Sequence, residues 1–167
     1  MFGKKSKAPN TDKGNRNKQA EMVKLIKSTF EKAGWKYDLK SEDNVFLTSF
    51  MGDDLPIATM IMVQEMSTQF VCNLDFIADP GNFKEVCWAL NEINSGLSFG
   101  CFYLDTEEGH ILFEYGLIHV DSDFDESTMG SVIKMVVSTV DKYDGDLQKI
   151  AKKGGTSFKD YPSNMFA

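Results

Sequence analysis

Apolar residues recur every three to four positions in three stretches of the chain. Between these stretches they alternate with polar residues or run together in short bursts. "NKQAEMVKLIKSTFEKAGW" places Met22, Leu25, Ile26, Phe30 and Ala33 on one helical face. Gly34 follows as the expected C-terminal stop. "DPGNFKEVCWALNEIN" predicts a second helix, started by Asp79 and Pro80, with Phe83, Val86, Cys87 and Leu90 as its buried stripe. A long third helix lies within "DSDFDESTMGSVIKMVVSTVDKYDGDLQKIAKKGG". Its apolar positions Met129, Ile133, Val136, Val140, Tyr143, Leu147 and Ile150 form a narrow seam, and Val132 and Val137 widen it for packing on a sheet. Acids crowd its start and lysines its end, the polarity that the helix dipole favours. Gly145 inside it costs about 1 kcal/mol relative to alanine and predicts a kink or fraying there.

The strand signals fall into two groups. "WKYDL" predicts a short first strand, "SEDN" a turn, and "VFLTSFM" the next strand. After "GDDLP" come "IATMIMVQEM" and "FVCNLDFI", linked by "STQ". Past the second helix, "GLSFGCFYLD" and "HILFEYGLI" form two more strands joined at "TEEG". The pattern predicts one α+β domain with an antiparallel sheet of about five to six strands and helices packed on it. The order is helix, strands, helix, two strands, long helix. Residues 1–17 are expected to be a disordered basic leader, 18–153 the domain, and 154–167 a flexible tail bearing Phe158, Tyr161 and Phe166.

The stretch from Ile57 to Met66 is apolar on both faces. Ile57, Ile61 and Val63 lie on one side, and Ala58, Met60, Met62 and Met66 on the other. Such a strand is usually covered twice. Helices account for one cover. The other could be a twin subunit, a client segment or the aromatic tail. Methionine side chains fill cores, and they also line faces that accept several partners. Met60, Met62 and Met66 are therefore the candidate partner-binding residues, with core filling and a small apolar-ligand pocket as the other readings.

Charge narrows the partners. Residues 1–18 carry six basic side chains against one acid, whereas the remaining 149 carry 12 basic and 24 acidic ones. From Ser41 to Ile133 Lys84 is the only basic residue. A body this acidic repels phosphate, so no nucleic acid is expected on the folded domain. The leader could touch RNA or anionic lipid. No apolar run is long enough to span a bilayer, and no apolar stretch follows the N-terminal lysines, which predicts a cytoplasmic protein with no transmembrane segment.

Candidate chemistry is sparse. Cys72, Cys87 and Cys101 have no paired spacing and sit among apolar residues, so buried, reduced thiols are expected. "DSDFDE" begins like a calcium loop, but Glu126 and Val132 stand where that loop needs glycine and glutamate, so its acids are read as a helix cap. His110 and His119 alone do not make a metal site. No phosphate-binding or nucleophile motif is present. The sequence thus predicts no catalytic residue, no cofactor and no metal. In "WALNEINSGLSFGCFYLD", Asn94 and Gly96 are expected to stop the second helix through left-handed backbone, and Asn91 to offer its amide to backbone groups left unpaired by the turn. All three are read as structural.

One further likeness rests on that region. "LNEINSGLSFGCFYLDTEEGHILFEYGL", residues 90–117, resembles the bacterial YbjN-like family of sensory-transduction regulators, and the likeness extends over Lys18 to Lys152. That family is similar in fold to the chaperones of type III secretion. The resemblance implies a type III secretion chaperone-like fold and carries no catalytic residue. It implies a non-enzymatic protein-binding module, chaperone-like or regulatory, acting as a homodimer on an unknown client. The alternative is a domain for a small apolar ligand or lipid, with the leader as a membrane-surface contact.

Overall fold

The computed structural model describes residues 11–119 and 123–152, with side chains from Asn17 onward. Helix α1 spans Thr11–Ala33, and the meander β1 (Asp38–Lys40), β2 (Val45–Met51), β3 (Pro56–Val63) and β4 (Ser67–Ile77) follows. A 3-10 turn, Pro80–Asn82, leads into α2 (Phe83–Gly96). Then come β5 (Cys101–Leu104), β6 (His110–Ile118) and α3 (Glu126–Lys152). All strand pairs are antiparallel in one six-stranded sheet of order β1-β2-β3-β4-β6-β5. The fold is α+β, as the apolar pattern predicts.

The helices share one face of the sheet. α3 lies on β3 and β4, α1 on α3 and β3, and α2 on β5 and α3. Alternation along each strand supplies the core: Phe46 from β2, Ile57, Ile61 and Val63 from β3, Phe70, Cys72 and Leu74 from β4, and Ile111 and Phe113 from β6 are all buried. The helices answer with Met22, Ile26 and Phe30, with Val86, Leu90 and Ile93, and with the α3 seam. Phe30 anchors an aromatic group with ring centroids at 5.6 Å from Trp35, 5.2 Å from Tyr37 and 6.2 Å from Phe46. Gly34, at φ +70°, ends α1 with the Trp35 N–H on the Phe30 carbonyl at 2.9 Å, the expected left-handed stop.

Several boundaries differ from the sequence reading. α1 begins at Thr11, inside the stretch expected to be unstructured, because an established helix extends one bond per residue at little cost. Residues 1–10 and 153–167, which hold the rest of the leader and the aromatic tail, lie outside the described residues. The β3 strand stops at Val63, and Ser67–Gln69, taken as the link, already belongs to β4. The turn is Gln64–Met66, closed by the Gln64 N–H on the Ser67 carbonyl at 2.8 Å. The α2 stripe is Val86, Ala89, Leu90 and Ile93, with Cys87 exposed. Cys101 is exposed as well, so Cys72 alone fits the buried-thiol reading. Burial pushes its thiol up to about 11, while the Thr59 hydroxyl 3.4 Å away works against that shift.

The end of α2 is a larger correction. Gly96 closes the helix without left-handed backbone, Asn94 is helical, and Leu97 turns at once into extended backbone (φ −84°, ψ 137°). The left-handed residue of this connection is Gly100, φ +65°, where a side chain would also strike the Phe113 ring. Asn94 serves the sheet instead. Its Nδ2 donates to the Phe102 carbonyl at 2.9 Å, and its Oδ1 accepts from the Phe102 N–H at 2.8 Å. The amide thus mimics a strand and closes the outer edge of β5. Asn91 is exposed on α2.

Candidate protein-binding face

With all three helices on one side, the other side of the sheet carries the second set of alternating residues. The register aligns them in rows. Val45, Met62, Gln69 and Gly116 form one row, Leu47, Met60, Val71, Glu114 and Cys101 the next, and Ser49, Ala58, Asn73, Leu112 and Tyr103 a third. Leu47, Ala58, Met60, Val71, Asn73 and Leu112 line a shallow, wide-mouthed trough across β2, β3, β4 and β6. Met51, Ile77, Tyr103 and Ile118, four of the six large hydrophobics that are exposed among the described residues, sit by alternation on this same face. Isolated exposed apolar residues are ordinary, but a continuous apolar strip is a docking signal.

The floor is not wholly apolar. Asn73 lies between Ala58 and Leu112, and its Oδ1 is buried with no hydrogen-bond donor. Glu114 stands beside Cys101 and Val71. Partial burial and the neighbouring Glu114, Cys101 and Asp105 hold the Tyr103 hydroxyl above its ordinary pKa.

The structure places the candidate residues as follows. Met60 and Met62 are half-buried, adjacent on the open face of β3. Met66 is not on that strand. It is 54% exposed in the β3–β4 turn, and its carbonyl accepts the His119 N–H at 3.0 Å, which brings it beside Ile118 at the far end of the face. Leu47, Val71 and Leu112 are missing from the sequence reading. Their signal was present in the apolar residues that β2, β4 and β6 carry on both faces, but only the strand order shows that they meet Met60.

A second feature went unseen in the sequence. The β2–β3 turn meets α3 at a group of acids. The Asp53 N–H donates to Asp141 Oδ1 at 2.6 Å, Asp141 packs on Gly52, and Asp54 packs on Gly145. A Cβ at Gly145 would overlap the Asp54 carboxylate, and α3 runs unbroken through Gly145, so the glycine gives room for the turn and does not fray the helix. Asp144 beside it is 1% exposed, and neither carboxylate oxygen has a hydrogen-bond partner. Burial first, then the neighbouring Asp141, Asp54 and Asp53, push its pKa up to about 6.

The remaining candidates do not converge. Asp125 Oδ1 caps α3 by accepting the Thr128 N–H at 2.7 Å, as the capping reading expects, and that bond holds its carboxyl below the ordinary range. Asp123 pairs with Lys18 at 3.0 Å, while Asp121 lies outside the described residues. Glu126 pairs with Lys32 at 3.0 Å and accepts from Ser28. His110 opens β6 and His119 follows its end, so the two stand about 30 Å apart along one strand rather than side by side. Among the described residues no three histidine, cysteine or acidic side chains are grouped to hold a metal ion, and no helix is long and apolar enough to cross a membrane.

The model of the YbjN family, described as "Putative bacterial sensory transduction regulator", matches residues 23–149. The chain belongs to the YbjN family. Its fold is that of the E. coli YbjN crystal structure, with a TM-score of 0.58 at 9% identity over 71% of this chain and 85% of that one. It is also similar to a chain of the heterodimeric ExoU–SpcU complex from the type III secretion system of Pseudomonas aeruginosa. There the TM-score is 0.53 at 13% identity, over 77% of this chain and 98% of that one. This chain thus shares its fold with a chain of a type III secretion complex, and at these identities the likeness is one of fold. No curated protein matches this chain in sequence.

Proposed function

We propose that this YbjN-family chain is a non-enzymatic, cytoplasmic protein-binding module, chaperone-like or regulatory, that seats a partner chain on the open face of its sheet around Met60 and Met62. The observation that carries this reading is the apolar trough built from four adjacent strands, with no helix over it among the described residues. Flexible thioethers and aliphatic side chains there can adapt to more than one sequence. The edges support the same reading: β1 is three residues long, and Asn94 occupies the outer edge of β5 at Phe102, which leaves the face rather than strand addition for a partner. A second copy of the chain is one such partner, and homodimerisation through this face belongs to the proposal.

The wide mouth of the trough favours a polypeptide over a small apolar ligand or lipid, which would remain half in water there. The acidic surface around it favours a partner segment with basic residues beside its apolar ones. A Met60→Glu, Met62→Glu variant tests the proposal. It should keep its melting temperature, because both side chains face away from the helices. It should also lose self-association in analytical ultracentrifugation, or the partner captured by the wild type from its native host, because charge is depleted at interface centres. Unchanged association would remove the face from the account.

A further inference from the structure

The sequence continues beyond α3. The last turn of α3 is pinned at one end of β4: the Ala151 carbonyl accepts the Asp79 N–H at 3.1 Å and Asn82 Nδ2 at 2.9 Å, and Lys152 Nζ lies 5.8 Å from the Phe76 ring centroid. The chain therefore leaves the helical layer beside Ile77, the last residue of β4, which is 58% exposed on the open side. Fifteen residues follow, 153–167, with Phe158, Tyr161, Met165 and Phe166 among them.

The lengths fit. From Ile77 back to Asn73 is four residues, about 13 Å along the strand, and passing from the helical layer to the open side adds about 10 Å. Phe158 is six residues past Lys152 and has about 20 Å of extended chain, enough to cover Ile77. Tyr161, nine residues past Lys152, has about 30 Å and reaches the trough beside Asn73 with slack. The chemistry fits as well. A tyrosine buries its ring while its hydroxyl seeks a partner, and Asn73 Oδ1 lacks a donor.

We propose that residues 158–166 dock intramolecularly across the open face, with Tyr161 in the trough between Met60 and Asn73, so that a partner must displace this segment. The inference is separate from partner binding, since it is read on the isolated chain. The test is methyl NMR of the full chain with 13C-methyl methionine. Met60 is assigned by Met60→Leu, and Met129, buried beneath the opposite face, serves as control. In the full-length Phe158→Ser, Tyr161→Ser, Phe166→Ser variant the Met60 methyl should lose its ring-current shift while Met129 stays in place. A synthetic peptide of residues 153–167 added to that variant should restore the shift. A Met60 signal identical in the two proteins overturns the proposal. So does a Met60 shift that depends on protein concentration and not on the tail, which would make a second copy the occupant. Movement of Met129 with Met60 would place the aromatic segment in the core and overturn it too.

Discussion

Neutralising Asp144 should stabilise the protein at neutral pH. The carboxyl has a pKa of about 6 in the fold against an ordinary value of 3.8, and it lies buried among Asp53, Asp54 and Asp141. Between those two values the unfolded chain is ionised while the folded one holds its proton, so stability falls as pH rises through this window. The loss is complete above the folded value. About two pH units at 1.36 kcal/mol each give about 3 kcal/mol, and water reaching the exposed acids around the site reduces this to about 1–3 kcal/mol. Asp144→Asn keeps the shape and removes the charge. It should therefore raise stability at pH 7 by that amount, about 2–10 °C in melting temperature for a chain of this size. At pH 4 the two proteins should be nearly equal. Urea titrations at pH 4, 5, 6 and 7 measure the difference directly. A variant no more stable than wild type at pH 7, or a difference that does not change with pH, would refute this account of the α3 acids.

Three further outcomes follow from the packing. Asn94→Leu removes both bonds to the Phe102 main chain and should cost about 1–3 kcal/mol in a chemical melt despite leucine's better helix propensity, whereas an unchanged melt would mean that the β5 edge does not need the amide. Gly145→Ala should gain less stability in the wild type than in an Asp54→Ala background, with a coupling of at least about 0.5 kcal/mol, since its methyl meets the Asp54 carboxylate; additive effects would dismiss that contact. A thiol reagent should modify Cys87 and Cys101 in the native state and reach Cys72 only on unfolding, so fast labelling of all three would contradict the placement of β4.

The sequence was most legible where periodicity and punctuation agreed. β2 and β6 match their apolar runs to the residue, and the α3 seam is buried along its length apart from half-buried Tyr143. Legibility failed where a side chain works on distant backbone. Nothing local distinguishes an asparagine that stops a helix from one, like Asn94, that completes a strand edge eight residues later. Gly145 reads as a weak point because its neighbour in space, Asp54, lies in another element. The binding face was half visible. Met60 and Met62 stood out by composition, but Val71 and Leu112 became part of the same surface only through the order that sets β4 between β3 and β6. Met66, read as the end of that strand, lies in a turn because the chain reverses at Gln64.

The central claim is that the open face binds a protein chain without being part of the core. Its most direct test is the Met60→Glu, Met62→Glu variant, followed by thermal melting and sedimentation velocity together and by capture from the native host against wild type. The account predicts a native melt with loss of the dimer or of the captured partner. A collapsed melt would mean that the two methionines are core, and a native melt with association unchanged would mean that the face binds nothing.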